Sequence, residues 1–530
     1  MKRLFSWLLA CVMILSLLPA VSAAEGGEVT PTVEVGWHFC AALDENGTVW
    51  TWGENDSGQL GDGTTESRWY AAPVPDLTDV VRIFAGTRHM MALKADGTLW
   101  AWGENNMGEL GLGYQSVGDS TSVPTPQKVI LPEGEHGGVA DVAIANQSTV
   151  LVMEDGTVWG WGLIPRRYEN RNDGEEELYH VHELDGCGVV CAEGQAVNGN
   201  RFLFLAGSGT PEDPSRLYGW GTGTSPNWQL TDEKFDDRIP KEIVFPGSGY
   251  ITDLETSDGS VFAIAGGQET GIYIWGSNDS GQAGTGESST EPLSAPHKLA
   301  GYHTSPPVQV SSVQGSIVAL HEDGTLWLWG QDDILMPGSS YGDAMAPARL
   351  PIDHIVAVAN RGTSTIALRQ DGVVYSRGKN NYGMLGRPEE YGEFSDREFD
   401  LTKPVLKEDG SPLSLFAPSG QGYYLIRQLD PAQGCIEGSP SGSYQAGETV
   451  TLIARPWEGY RFMGWEAEGI ALPDPGASTI SFTMPAGDVT VTARFEKELP
   501  GMAGGGPFLE GAGTADPSAV PISTVEQLAA

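Results

Sequence analysis

Cysteine is scarce in this chain, with 5 in 530 residues. Cys40, Cys187, Cys191 and Cys435 lie beyond the N-terminal apolar run, and four thiols in so long a chain do not make a disulfide framework. Basic residues are also few: 30 Lys and Arg stand against 70 Asp and Glu, for a formal net charge of -40. That balance excludes binding to a phosphate backbone, which needs clustered cations to displace counterions. Beyond the first residues no apolar stretch is long enough to span a bilayer. The sequence also lacks a nucleophile elbow, a paired-His zinc helix, a phosphate-binding Gly loop and a dinucleotide fingerprint. These absences argue against an enzyme, and no cofactor is expected.

The N-terminus has the form of a secretory signal. Lys2 and Arg3 precede an apolar run from Leu4 to Leu18, and Pro19 to Ala24 offers small residues for cleavage after Ala23 or Ala24. Residues 1–24 are therefore expected to be a signal peptide, and the mature protein to be secreted or associated with the cell surface.

What the chain has in abundance is a repeat. His89 to Gly103 reads HMMALKADGTLWAWG, and related stretches run from His38 to Gly53, Ser148 to Gly162, Ser316 to Gly330 and Ser364 to Gly378. Two weaker copies end at Gly221 and Gly276. The closing glycines, Gly53, Gly103, Gly162, Gly221, Gly276, Gly330 and Gly378, mark seven units. Apolar strand-like runs flank an Asn-Gly or Asp-Gly step at Asn46, Asp96, Asp155, Asp323 and Asp371, which predicts a hairpin with two left-handed positions. In the fourth unit Gly207 to Arg216 replaces that step with a longer loop. Ten of the sixteen tryptophans sit in the returning strand: Trp50, Trp52, Trp100, Trp102, Trp159, Trp161, Trp220, Trp275, Trp327 and Trp329. Period-two alternation puts each Trp-x-Trp pair on one face, which predicts packing between units rather than a ligand platform.

After the strand come Gly53 to Gly61, Gly103 to Gly111, Gly276 to Gly284 and Gly378 to Gly386, variants of G-x-N-x-x-G-Q-L-G. Their Asn and Asp residues are expected to bond their own backbone. Taken together, residues 33–428 resemble the regulator-of-chromosome-condensation repeat. That resemblance implies an all-β fold, a seven-bladed β-propeller of four-stranded blades over residues 30–429, with Leu413 to Ile426 as the closing element.

With Tyr444 to Leu452, Gly459 to Trp465 and Phe482 to Phe495 set between Gly and Pro punctuation, residues 434–497 resemble the divergent internalin-B-type bacterial repeat, a small β-rich module. Alternating Val450 and Leu452, then Val489, Val491 and Ala493, predict half-buried strands. Residues 498–530, rich in Gly, Ala and Pro, read as a flexible tail.

Function is expected in the connections that do not repeat, where aromatics alternate with acids on loops held by a rigid scaffold. Trp69, Tyr70, Tyr168, Trp228, Tyr341 and Tyr391 are the candidate anchors for a partner. The nearness of His180, His182, Cys187 and Cys191 raises zinc, but the spacing fits no zinc motif. Cys187 and Cys191 are expected to be buried in a strand beside Val189 and Val190, with no metal. The reading is a secreted, monomeric protein-binding scaffold, adhesin-like or an inhibitor of an extracellular protein. The alternative is guanine-nucleotide exchange, the activity of the repeat's eukaryotic namesake, which an exported acidic chain would not meet in its cytosolic setting.

Overall fold

A computed structural model of the chain describes residues 29–497 apart from a number of segments, of which 164–177, 222–239, 331–343 and 388–396 are the longest. The chain divides into two compact units, Met1–Gly420 and Gln421–Ala530. Among the described residues no helix is long and apolar enough to cross a membrane.

The first unit is a β-propeller arrangement. Among the described residues of this unit, seven four-stranded sheets follow one another, each with its strands paired antiparallel in sequence order. Sheet 1 comprises Thr32–Val35, Phe39–Leu43, Val49–Gly53 and Arg68–Pro73. Sheet 2 comprises Val80–Ala85, His89–Lys94, Leu99–Glu104 and Ser122–Lys128, and sheet 3 comprises Val139–Ile144, Ser148–Met153, Val158–Gly162 and Tyr179–His180. Sheets 4 to 7 begin with Val189–Val197, Tyr250–Ser257, Pro307–Val313 and Ile355–Arg361. The first strand of every sheet lies beside the first strand of the next, and that of sheet 7 beside that of sheet 1, so these strands ring a common axis.

The Trp-x-Trp strands explain how neighbouring sheets adhere. Trp52, Trp102, Trp161 and Trp329, the second of each pair, are fully buried. Each donates its indole N–H to a carbonyl in the Gly-rich loop of the preceding sheet: Trp102 to Gln59 at 2.9 Å, Trp161 to Glu109 at 2.7 Å, Trp329 to Gln282 at 2.8 Å. Trp52 of sheet 1 donates to Met384 of sheet 7 at 2.9 Å, which closes the ring with the same bond. The first Trp of each pair is half-buried and turns back on its own hairpin, as Trp100 does to Thr98 Oγ1 at 3.0 Å.

The hairpins differ from the expected form. Gly97 has φ 80°, yet Asp96 is not in the left-handed region. Gly97 N–H donates to Lys94 O at 2.9 Å and Lys94 N–H to Thr98 O at 2.9 Å, a loop with one left-handed residue instead of two. The Asp carboxylate takes the Thr98 N–H at 2.9 Å, a side-chain turn in which the aspartate stays outside the left-handed region.

The closing element is also shorter than expected. Leu413 and Leu415 are buried between sheets 7 and 1. Leu413 O accepts from Val374 N at 3.1 Å, and Leu415 O from Glu45 N at 2.9 Å. Tyr423–Gln428, however, pairs with Gly442–Tyr444 and runs parallel to Val489–Lys497, so it belongs to the second unit. Its Leu425 side chain is needed in that unit's core, with Val450, Trp465, Phe482 and Val491. There the burial of Thr449–Pro456 and Thr479–Thr483 alternates, as period-two strands on one core require.

Candidate protein-binding face

Strand direction alternates within each sheet, so the connections between strands 1 and 2 and between strands 3 and 4 leave from one end. The Asp-Gly hairpins and the links from sheet to sheet leave from the other. The Gly-rich loops and the irregular segments after them therefore gather on one face of the ring. The loops are self-satisfied: Asn55 Oδ1 accepts the Leu60 N–H at 2.9 Å, Asn278 Oδ1 that of Ala283 at 2.8 Å, and Asn380 Oδ1 that of Leu385 at 3.0 Å.

Of the six anchors read from sequence, Trp69 and Tyr70 are described, both half-buried at the loop-face end of Arg68–Pro73. Trp69 packs on the Gly-rich loop of sheet 7, where a Cβ on Gly383 would come within 2.8 Å of its Cα. That contact makes Trp69 partly a joint between sheets. Tyr168, Trp228, Tyr341 and Tyr391 lie outside the described residues.

Beside Trp69 stands a group that sequence reasoning missed. Trp37 is 38% exposed and Tyr382 44% exposed, with His38 between them. The His38 and Tyr382 rings stack with centroids 4.8 Å apart, and Trp37 lies 5.8 Å from His38. Tyr382 holds φ 57°, a left-handed conformation that a bulky residue adopts at a cost. His38 Nδ1 is 3.6 Å from Glu54 Oε2. Burial pushes the Glu54 carboxyl up, but the His38 and Arg88 charges and hydrogen bonds outweigh it and hold the group below its ordinary value. The signal was present in the repeat alignment. Tyr382 stands where other copies have Ser57, Met107 and Ser280, and Trp37 where sheet 2 has Thr87.

A second polar region surrounds the axis. Glu34, Arg82, Asp141, Glu193, Asp253, Glu255 and Arg361 all come from first strands. Their polar groups clip sheet to sheet: Arg82 donates to Asp141 Oδ1 at 2.7 Å, Asp141 Oδ2 accepts from Ala192 N at 3.0 Å, and Asp253 Oδ2 from Val310 N at 2.9 Å. Burial pushes Glu34 and Asp253 up to about 7, and raises Glu193 and Glu255 as well, with the Arg361 charge working against it at Glu34, Glu193 and Glu255. His89, buried near the same Arg361, is pushed down to about 3, first by burial and then by that charge.

On the opposite face, His180, His182 and Asp185 lie together, their ligating atoms all within 4.8 Å of one another. Cys187 is not buried in a strand as expected. It sits half-buried in the turn before Val189–Val197, because Gly186 and Gly188, at φ 72° and 66°, bend the chain away from the sheet.

The repeat and the ring both have counterparts among known proteins. Residues 46–93 and 96–152 match the Regulator of chromosome condensation (RCC1) repeat, a second description of that repeat matches 32–59 and 80–109, and 428–499 match the Divergent InlB B-repeat domain. The chain carries RCC1 repeats in a β-propeller arrangement, with a divergent InlB B-repeat domain at the C-terminal side. It is 27% identical over 423 residues to the ultraviolet-B receptor UVR8 of Arabidopsis thaliana, covering 78% of this chain and 88% of that protein. It is 22% identical over 372 residues to the guanine nucleotide exchange factor SRM1 of Saccharomyces cerevisiae, covering 65% and 68%. The crystal structure of human WBSCR16 shares the fold, with TM-score 0.55 at 18% identity over 70% of this chain and 95% of that one.

Proposed function

We propose that this is an exported protein-binding scaffold, a seven-bladed propeller that docks an extracellular protein on its loop face. The observation that carries the reading is the exposed Trp37–His38–Tyr382 group, set on a rigid ring where other repeats have small or unbranched residues. Large aromatics on a preorganised surface are the side chains that dominate binding hot spots. Trp69 packs on the loop that carries Tyr382, and Tyr114, 45% exposed, adds a further aromatic on the same face. Binding by an RCC1-repeat propeller accords with relatives named as a receptor and as an exchange factor. The N-terminal signal and the acidic surface favour a partner outside the cell and a basic contact surface on it.

The test is capture of extracellular proteins by immobilised protein, repeated with Trp37→Ala and Tyr382→Gly. Tyr382→Gly relieves the left-handed backbone, so the fold is retained or gains up to about 1 kcal/mol, and any lost binding is lost contact. Each change is expected to weaken capture about 30-fold, the size of a 2 kcal/mol hot spot. A partner held equally by both variants, or an uncleaved chain retained in the cytosol of the producing cell, would overturn the reading. Accelerated nucleotide release from a cytosolic GTPase would replace it with exchange.

A further inference from the structure

The link from sheet 3 to sheet 4 carries a feature that the fold does not need. In the link from sheet 1 to sheet 2, Pro73, Val74, Pro75 and Leu77 stand where this link has His180, Val181, His182 and Leu184. The frame is the same in both. Val74 and Leu77 are buried, as are Val181 and Leu184. Val74 N donates to Val49 O at 2.8 Å, and Val181 N to Val158 O at 2.8 Å. Two prolines suffice to build the turn, so the imidazoles at 180 and 182 are not required by it.

With Val181 and Leu184 anchored inward, His180, His182 and Asp185 are left on the outer side of one short turn, His182–Leu184 followed by Asp185. His180 Nε2 is 2.8 Å from Asp185 Oδ1, and His182 Nδ1 is 3.3 Å from Asp185 Oδ2. The His180 ring is locked by stacking on Trp159, its cross-strand partner, with centroids 4.2 Å apart and planes 8° from parallel. In that orientation Nε2 is buried and makes no hydrogen bond, although a carboxylate oxygen lies beside it. An ion pair would aim its N–H at the oxygen. Without that hydrogen bond, Nε2 and the neighbouring carboxylate are both left to turn to one cation.

We propose that His180, His182 and Asp185 form a binding site for a divalent transition metal of the Zn²⁺ class, with water completing the coordination. Donors about 2.1 Å from a tetrahedral ion stand roughly 3.4 Å apart. His182 Nδ1 and Asp185 Oδ2 already have about that separation, and His180 Nε2, 2.8 Å from the other carboxylate oxygen, needs a small side-chain adjustment to reach it. Imidazole nitrogen with one carboxylate suits zinc better than calcium or magnesium, which prefer all-oxygen sets. The site faces away from the loop face, so its loss and the loss of partner binding are separable. Val181 and Leu184 hold the three ligands in place before any ion arrives.

The experiment is calorimetric titration of ZnCl2 into the tag-free, metal-stripped protein, with His182→Ala, Asp185→Asn and Cys187→Ser alongside. His182 and Asp185 are exposed, so these substitutions leave the fold intact. Wild type and Cys187→Ser are expected to take up one equivalent. His182→Ala and Asp185→Asn are each expected to bind it at least ~100-fold more weakly, since loss of a ligand exceeds the effect of an outer-shell change. Uptake by wild type no tighter than by the two ligand variants would overturn the site. So would loss of uptake in Cys187→Ser with retention in Asp185→Asn.

Discussion

Indoles in this protein do two different jobs two residues apart. Trp102 is fully buried between sheets and bonds Gln59 of the preceding loop, whereas Trp100 is half-buried and bonds its own hairpin. Trp102→Ala is expected to cost about 3–5 kcal/mol and Trp100→Ala less than half as much, read from chemical denaturation. Equal losses would mean that the indoles share one role. The Trp-x-Trp spacing revealed that both residues share a face, but not which would be sealed by the neighbouring sheet. Trp69 and Tyr70 stand out from local composition alone, as aromatics near acids outside the repeat. Trp37, His38 and Tyr382 were missed because each lies inside a repeat copy and departs from it by one side chain.

The recurring element is the hairpin with its side-chain turn. Asp155 Oδ1 accepts the Thr157 N–H at 2.9 Å and its hydroxyl at 2.7 Å, Thr157 in turn accepts the Trp159 N–H at 3.0 Å, and His136 meets Asp155 Oδ2 at 2.8 Å. Asp155→Ala removes the origin of this chain and is expected to lower stability by about 1–2 kcal/mol, seen as a lower denaturation midpoint with unchanged slope. Asp155→Asn is expected to recover most of the loss, because its amide oxygen can accept the same backbone bond. The Asp-Gly pairs announced the hairpins correctly. Their turn geometry was not legible, since the aspartate backbone is decided by the hydrogen bond its own side chain makes. Tyr423–Gln428 shows the same limit at the domain boundary. Its local pattern repeats an opening strand of the propeller, but its hydrogen bonds go to the C-terminal module, where Leu425 completes a core.

At the scale of the whole molecule the ring gathers buried acids that no single repeat would tolerate. Glu109 stands where other loops have Gln59 and Gln282, accepting the Met107 N–H at 2.7 Å as they accept the matching N–H of Ser57 and Ser280. Burial pushes it up to about 7 from an ordinary value of 4.5. A carboxyl raised in the folded state contributes stability that is fully present below its unfolded value and is lost as pH rises through the folded one. Glu34 and Asp253, also near 7, act in the same direction. His89 acts in the opposite one, its contribution lost as pH falls from 6.5 towards 3, so above pH 6.5 the carboxyls are unopposed by it. Stability is therefore expected to fall from about pH 4.5 to 7, where the carboxyls outnumber His89, and to level off above. Glu109→Gln should raise it at pH 8 by on the order of 2 kcal/mol with little change at pH 5, measured by denaturation at both. An unchanged difference between the two pH values would remove Glu109 from the account.

The sequence by itself determined the repeat, the strands, the hairpin positions and the shared face of each Trp-x-Trp pair, because these depend on short-range alternation copied along the chain. Only the tertiary structure decided what the closed ring brings together. His38 meets Tyr382 across more than three hundred residues, and the first strands pool their carboxylates at the axis. Periodicity reports which way a side chain points relative to its neighbours in sequence. It carries no record of what the ring, once closed, places opposite it.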